Sequence, residues 1–236
     1  FFYALSLQKK VLSYILNIET STKNCSVSIA RNGETISLKE INTGNYSHAE
    51  MLHPLIKEAL KESGLKMDQI AAIAVGKGPG SYTGLRIGVS AAKGLCFAND
   101  IPLISLNSLE ILAHAISVKE GYIIPMIDAR RMEVYSAVFD TAYHFIRETK
   151  AEIVDVNSFL KELENNKLYF IGDGAKKCNE IILHKHATFV EDLFPSSKDM
   201  GQLSFDKYKK NDIEDVAYFE PFYLKNFIAT TEKKKL

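Results

Sequence analysis

Alternating apolar and polar positions at the start of the chain predict three antiparallel strands. Residues 14–18 form an apolar run, and residues 25–30 alternate with a period of two, as strands with one buried face do. The Asn32-Gly33 pair between two such runs is typical of a two-residue hairpin turn, and residues 34–41 supply the third strand. The fold is therefore expected to open with a three-stranded meander.

The spacing of apolar residues then changes to a helical period. Ser47 and Glu50 have the spacing of a capping box, and a helical apolar stripe follows them until Gly64. The apolar run 70–75 is followed by a glycine-rich loop, a helix and a short strand. This order is typical of a parallel β-α-β crossover.

The second half of the chain repeats this alternation less regularly. We predict strands at 122–127, 133–139, 148–154 and 168–171, and helices at 108–116, 158–164 and 211–218. Three antiparallel strands followed by alternating helices and strands is the order of a ribonuclease-H-like lobe, and two such lobes suggest the actin-like ATPase fold. The predicted class is thus α/β, with two lobes of mixed sheets flanked by helices. We place the N-terminal lobe at 14–106, the C-terminal lobe at 107–236 and an extension outside the fold at 1–13.

Composition excludes several classes of protein. Hydrophobic residues make up 46% and charged residues 25%, which is a globular rather than a disordered composition. Lys+Arg and Asp+Glu are equal at 29 each, so the basic excess usual in nucleic-acid-binding proteins is missing, and we expect a partner to contact RNA.

Cys25, Cys96 and Cys178 are far apart, which indicates reduced thiols in a cytoplasmic protein. No apolar run approaches the roughly 20 residues of a membrane span, so no membrane contact is expected.

The loop after the 70–75 strand carries the strongest chemical signal. Gly78, Gly80, Ser81, Thr83 and Gly84 precede a helix, where glycines allow close approach of a ligand and free N–H groups can bind a phosphate. The spacing matches neither common nucleotide-binding glycine motif. Two interpretations follow: a vestigial phosphate site, or a tight turn that packs the helix against the sheet or presents it to a partner. We favour the second and expect no cofactor.

Other polar groupings carry weaker signals. The stretch 128–133 holds two carboxylates with Arg130 and Arg131 between them, which fits an active site but is more typical of a charged turn of ion pairs. His48 and His53 do not have the spacing of an H-E-x-x-H zinc helix. Neither Ser81 nor Ser90 has a base or an orienting acid at a recognisable spacing, so a serine hydrolase is not supported. We therefore predict no catalytic residue and no metal site.

Four segments resemble the bacterial TsaB (YeaZ) family, in the order found there: ILNIETSTKNCSVSI, GKGPGSYTGLRIGVSAAKGL, IPLISLNSLEILA and MIDARRMEVYSAVFD. The most specific piece is G-P-G-S-Y-T-G-L-R-I-G, and the resemblance covers about residues 14–227. It implies a non-catalytic dimerisation subunit of the complex that makes threonylcarbamoyladenosine on tRNA. The implied partners are a catalytic subunit of the same fold, TsaD, and an ATPase, TsaE.

The resemblance also implies that the catalytic relative's metal site is missing here. That relative has an H-x-E-G-H helix whose histidines bind iron or zinc, and Ser108 and Leu112 stand at the corresponding positions. A hydroxyl and an isobutyl group cannot replace two imidazoles. Active members of the actin-like superfamily hold Mg²⁺ and phosphates with an aspartate and a glycine-rich turn between their first two strands. Residues 19–23 have a glutamate, which is longer than aspartate, and no glycine. We expect no productive nucleotide hydrolysis, and the hydroxyl-rich turn with Lys23 leaves weak nucleotide binding open.

A non-catalytic chain acts through an interface, and the helices at 47–63 and 84–98 carry small and apolar residues beyond one buried stripe. In the family, related surfaces mediate both pairing with TsaD and homodimer formation, and tRNA is bound only through the complex. The alternative function is an actin-like-fold ATPase or a metallopeptidase-like enzyme. The predicted interface residues are His48, Leu52, Leu55, Arg86, Ser90, Ala91 and Gly94.

Overall fold

The computed structural model describes residues 12–42 and 47–225, and its first sheet has the predicted meander at one side. The strands lie in the order β3-β2-β1-β4-β5, with β1, β2 and β3 antiparallel and β4 and β5 parallel to β1. Asn32 and Gly33 both have positive φ, as the predicted hairpin turn requires. The strands are β1 (Tyr14–Glu19), β2 (Cys25–Arg31), β3 (Glu34–Ile41), β4 (Ile70–Gly78) and β5 (Leu103–Asn107).

Two long helices cover one face of this sheet. They are α1 (His48–Ser63) and α2 (Tyr82–Asn99), and a short 3-10 turn at Met67–Gln69 leads from α1 into β4. A buried apolar cluster lies between the helices and the sheet. Gly64 ends α1 with φ of 69°, as predicted, but the Ser47 side chain makes no cap hydrogen bond, so the predicted capping box is wrong.

The second sheet repeats the strand order of the first. It runs β8-β7-β6-β9-β10, again with three antiparallel strands followed by two parallel ones. The second half therefore holds a ribonuclease-H-like lobe of the same topology, which confirms the two-lobed actin-like α/β class. Its elements are α3 (Ser108–Ala113), β6 (Tyr122–Asp128), β7 (Glu133–Phe139), β8 (Phe145–Ile153), α4 (Leu160–Asn165), β9 (Leu168–Ile171), α5 (Ala175–Asn179) and β10 (Ala187–Val190).

The segment after β10 returns to the first lobe. After a 3-10 turn at Ser197–Met200, α6 (Gly201–Lys209) packs on the face of the first sheet opposite α1 and α2, where Met200 joins Ile15 and Ile104 in one apolar cluster. The Ser28 hydroxyl donates to the Ser197 carbonyl at 2.7 Å. The predicted C-terminal lobe at 107–236 is therefore too long, because residues 197–209 complete the core of the first lobe.

The predicted helix at 211–218 is wrong. Glu214 forms an isolated β-bridge with Leu103, and its N–H donates to the Leu103 carbonyl at 2.8 Å. The free edge of β5 thus holds this segment extended, and a turn capped by Asp215 follows.

The predicted start of the fold at Tyr14 is also slightly late. Ser13 is buried and exchanges backbone and side-chain hydrogen bonds with Asn32, each 3.0 Å long. The rest of the predicted extension, residues 1–11, lies outside the described residues.

Candidate functional site

The glycine loop packs directly against the turn between β1 and β2. The Ser81 N–H donates to the Ser21 carbonyl at 2.6 Å, and the Thr20 hydroxyl donates to the Gly84 carbonyl at 2.8 Å. The Ser81 hydroxyl caps α2 by accepting from the Gly84 N–H at 3.3 Å, while Thr83 is exposed. Two segments 60 residues apart in sequence are thereby joined at the N-terminus of α2.

This contact explains why the loop needs glycines. A Cβ atom on Gly84 would lie 2.2 Å from the Thr20 carbonyl oxygen, and one on Gly80 would lie 2.3 Å from the Ser21 carbonyl oxygen. Both distances are far inside van der Waals contact, so a side chain at either position would push the loop away from the β1–β2 turn. Gly78 has φ of 105°, a conformation that glycine adopts at little cost. Close packing therefore accounts for Gly80 and Gly84, and the positive φ accounts for Gly78.

A buried carboxylate occupies the meeting point of β1, β4 and α3. Glu19 is fully buried, and its oxygens accept from the Ser21 N–H at 2.6 Å and from the Ser108 hydroxyl at 3.2 Å. A Cβ on Gly76 would lie 1.9 Å from the second carboxylate oxygen, so the glycine makes room for the acid. Burial raises the pKa of Glu19 above its usual value of 4.5, although the bonds from Ser21 and Ser108 work in the opposite direction.

The two positions at which the sequence predicts the loss of a metal site have structural roles here. Ser108 donates to Glu19, and Leu112 packs in the apolar cluster of the second lobe, where it contacts Gly172. Both side chains are fully buried. Within residues 12–42 and 47–225 no group of three histidine, cysteine or acidic side chains is placed to hold a metal ion.

Replacing Glu19 with glutamine should make the protein more stable at pH 8, by about 1 kcal/mol or more, because a buried charge is removed while the bonds to Ser21 and Ser108 can be kept. In the wild-type protein the raised pKa gives stability that is complete below pH 4.5 and declines as the pH rises through the folded-state pKa. Urea unfolding at several pH values would show this decline, and Glu19→Gln should flatten it. An equal decline in both proteins would assign the pH dependence to another group.

Three of the predicted interface residues lie in the core instead. His48, Leu52 and Leu55 are 2%, 0% and 5% exposed. Leu52 and Leu55 belong to the buried stripe of α1 that packs on the first sheet. A ring nitrogen of His48 lies 2.6 Å from the Thr22 carbonyl, and burial lowers the pKa of this histidine. The prediction that these residues contact a partner is wrong, because the apolar face of α1 is used up inside the lobe.

The other predicted interface residues share one exposed face of α2. Ser90, Ala91 and Gly94 line a shallow, mainly apolar groove between α1 and α2, with a volume of about 340 Å³. We call it the α1–α2 groove; its remaining lining residues are His53, Ile87 and Leu95. No other atom lies within 4 Å of the Cβ position of Gly94, so the helix surface is open there.

A second groove continues from the first along α2 to the end of the described chain. Ser90 lines both, and Arg86 forms the far wall, where its Nε donates to the Tyr223 hydroxyl at 3.2 Å and its guanidinium lies 4.1 Å from the Tyr82 ring centre. Lys93 holds the other side by donating to the Phe219 carbonyl at 2.8 Å. The sequence contains no signal for this groove, because it depends on contacts of Phe219 and Tyr223 with Lys93 and Arg86, which are more than 100 residues away in the sequence.

The charged stretch 128–133 forms the turn between β6 and β7. Asp128 pairs with Lys177 and Glu133 pairs with Lys225. The two carboxylates do form ion pairs, as predicted, but they pair with lysines from other segments and not with the arginines of the turn. Arg130 and Arg131 have no acidic partner among the described residues.

Comparisons with known proteins agree with this architecture. Residues 43–233 match the model of the family described as "TsaD: tRNA N6-adenosine threonylcarbamoyltransferase". The solved structure of "YeaZ from Pseudomonas aeruginosa" superposes with a TM-score of 0.77 and 25% identity, over 90% of this chain and all of that one. The fold and the site thus define a two-lobed α/β protein of the actin-like class.

Two curated relatives narrow the class to a family. The protein of Escherichia coli named "tRNA threonylcarbamoyladenosine biosynthesis protein TsaB" is 30% identical over 91% of this chain and 96% of its own length. Its namesake from Haemophilus influenzae is 28% identical over 91% of this chain and 94% of its own length. The chain belongs to the TsaB (YeaZ) family. Among the helices that the structure describes, none has the length and apolar content to cross a bilayer.

Proposed function

We propose that this chain is a non-catalytic subunit in the biosynthesis of threonylcarbamoyladenosine on tRNA, next to the anticodon. It acts by pairing with a catalytic paralogue of the same fold, TsaD, in a complex that also includes the ATPase TsaE. Family membership and the names of the relatives support the pathway. The packing of the site supports the non-catalytic role.

Three features of the site support a non-catalytic role. Glu19 and Ser108 bond to one another where β1 and α3 meet, so the carboxylate is directed to a protein hydroxyl rather than to a ligand. Leu112 is fully buried in the second lobe, so it offers no donor atom. The glycine loop is packed on Thr20 and Ser21, which accounts for its sequence without a bound phosphate.

The observation that carries the proposal is the face of α2. Small residues at 90, 91 and 94 leave an open helix surface beside α1, where a helix of another chain can approach closely. Most helices of a folded domain bury one stripe and expose charges on the other, whereas the part of α2 that lines the α1–α2 groove carries small residues and no charge. A helix pair from each of two chains would form a four-helix contact of ordinary geometry.

Activation by such a subunit is a shift of population. If the chain binds the catalytically competent conformation of TsaD more tightly than the others, the competent fraction rises with the difference in affinity. The same surface can pair two copies of this chain, so the homodimer competes with the heterodimer.

Complex formation with the purified catalytic paralogue from the same source tests this proposal. We expect one-to-one association in size-exclusion chromatography with light scattering, and we expect any homodimer to dissociate as the heterodimer forms. If the two chains elute separately at micromolar concentration, the pairing proposal is wrong.

A further inference from the structure

We propose that the turn between β6 and β7 is a phosphate-binding site, in which Arg130 and Arg131 contact the backbone of tRNA held by the assembled complex. This inference rests on the proposed function, because it needs a complex that binds tRNA. It assigns this chain a direct RNA contact, whereas composition alone assigns all RNA contacts to a partner.

The backbone of this turn is unusual for the residues it contains. Arg130 and Arg131 have φ of 70° and 52°, the left-handed region that favours glycine, asparagine and aspartate. The Ala129 N–H donates to the Glu133 carbonyl at 3.0 Å, which closes the hairpin, and the Arg130 N–H donates to Asp128 at 2.8 Å. Two arginines are therefore held where glycines would be more stable, which indicates that the side chains serve another purpose.

The acids around the turn are all engaged elsewhere. The Asp128 carboxylate pairs with Lys177, and the Glu133 carboxylate pairs with Lys225. Asp173 accepts from the Asp128 N–H at 3.0 Å. Lys177 also donates to the carbonyls of Arg131 and Glu133, each at 2.7 Å, which fixes the turn from beneath. Both guanidiniums are left exposed, and within the described part of the chain neither has an acid to neutralise it.

The local charge is positive although the whole chain is neutral. Lys23, on the turn between β1 and β2, belongs to the same cluster because its charge acts on Asp173. Burial raises the pKa of Asp173 to about 6, and the positive charge of Lys23 lowers it. The cluster thus holds more cations than acids, while the whole chain has a net charge of zero. Its cations are Lys23, Arg130, Arg131, Lys177 and Lys225, and its acids are Asp128, Glu133 and Asp173.

Guanidinium groups suit a phosphate ligand because their planar fork matches two phosphate oxygens. The two arginines lie on an exposed turn, which suits the extended phosphate backbone of an RNA. A nucleotide bound between the lobes is a poorer fit, because Glu19 and Ser108 are bonded to each other where β1 meets α3.

The turn also lies near the proposed partner face. Tyr223 contacts Arg86 of α2, and Lys225, two residues further on, pairs with Glu133 at the base of the turn. Residues 223–225 therefore connect the second groove on α2 to the base of the turn that carries the two arginines. We expect a tRNA bound by a subunit seated on α2 to reach the arginines along this segment.

The test is the salt dependence of tRNA binding by the complex of this chain with its catalytic paralogue. The probe is a fluorescently labelled tRNA transcript with adenosine next to the anticodon, titrated at several salt concentrations. For the double variant Arg130→Ala and Arg131→Ala, we expect roughly tenfold weaker binding and a slope of log K against log salt that is smaller by about 1 to 2. The double variant Arg130→Lys and Arg131→Lys should keep most of the slope, because the charge remains.

A matched control removes two exposed cations elsewhere, Arg31→Ala and Lys66→Ala, and should leave the slope unchanged. Equal slopes for the wild-type complex and for the complex with Arg130→Ala and Arg131→Ala would overturn the proposed RNA contact. Loss of ATP binding in calorimetry with an unchanged tRNA slope would also overturn it, and would assign the arginines to a nucleotide. Chromatography of each complex separates these outcomes from a failure of pairing. If no complex forms with the wild-type chain, the proposed function is wrong, and the arginine site is wrong with it because it needs the complex.

Discussion

Replacing Ala91 with glutamate is expected to weaken pairing with the catalytic paralogue by at least about 100-fold while the chain stays folded. Ala91 lines the α1–α2 groove and is half-buried at its floor. A carboxylate there would be desolvated by the partner with no cation designed to receive it, at a cost of several kcal/mol. Such a cost corresponds to a loss of two or more orders of magnitude in affinity. Affinity is measured by titration of the labelled paralogue.

Ala142→Glu provides the matched control for this variant. Ala142 is exposed on the turn between β7 and β8, in the second lobe, and its N–H bond to Asp140 does not depend on the side chain. We expect wild-type affinity for this control and unchanged thermal unfolding for both variants. Wild-type affinity for Ala91→Glu would remove the α1–α2 groove from the interface and leave the second groove as the candidate.

Replacing Gly84 with alanine is expected to destabilise the chain by about 2–3 kcal/mol, in the upper part of the range of about 1–3 kcal/mol for overpacking a closely packed site. The added methyl would lie 2.2 Å from the Thr20 carbonyl oxygen, and backbone at that position cannot move aside as a flexible side chain can. The displacement would also break the 2.8 Å hydrogen bond between the Thr20 hydroxyl and the Gly84 carbonyl. Chemical denaturation measures the change in the free energy of unfolding.

Gly94→Ala makes the same chemical change on the same helix, where no atom lies within 4 Å of the new methyl. This variant should be more stable than the wild type by about 0.5–1 kcal/mol, because alanine favours helix over glycine. A stable Gly84→Ala protein would contradict the packing explanation of the glycine loop and would favour the phosphate-binding one.

The sequence predicted the elements whose signals are local. The hairpin at Asn32-Gly33, the strand before the glycine loop and the Gly64 helix end all depend on residues adjacent in sequence, and each is confirmed. The two-lobed class followed from the order of these elements. The predicted helix at 211–218 failed because its conformation is set by Leu103, more than 100 residues away, whose strand edge was free to pair.

The site was predicted less well because the pattern of a helix does not say what each face contacts. Leu52 and Leu55 have the same spacing as Ile56 and Ala59, so the sequence did contain the signal that they form the buried stripe. No such signal exists for His48, whose contact with Thr22 joins two distant segments. Ser90, Ala91 and Gly94 were brought into one groove as the small-residue spacing indicated, and that groove as an interface stays a prediction.

The most direct test of the central claim is threonylcarbamoyl transfer to tRNA by the purified catalytic paralogue and its ATPase partner, with and without this chain. We expect transfer to depend on adding the chain, and we expect the chain alone to transfer nothing. Ala91→Glu should fail to support the reaction, whereas Ala142→Glu should support it. Transfer that proceeds equally well without the chain would contradict the account.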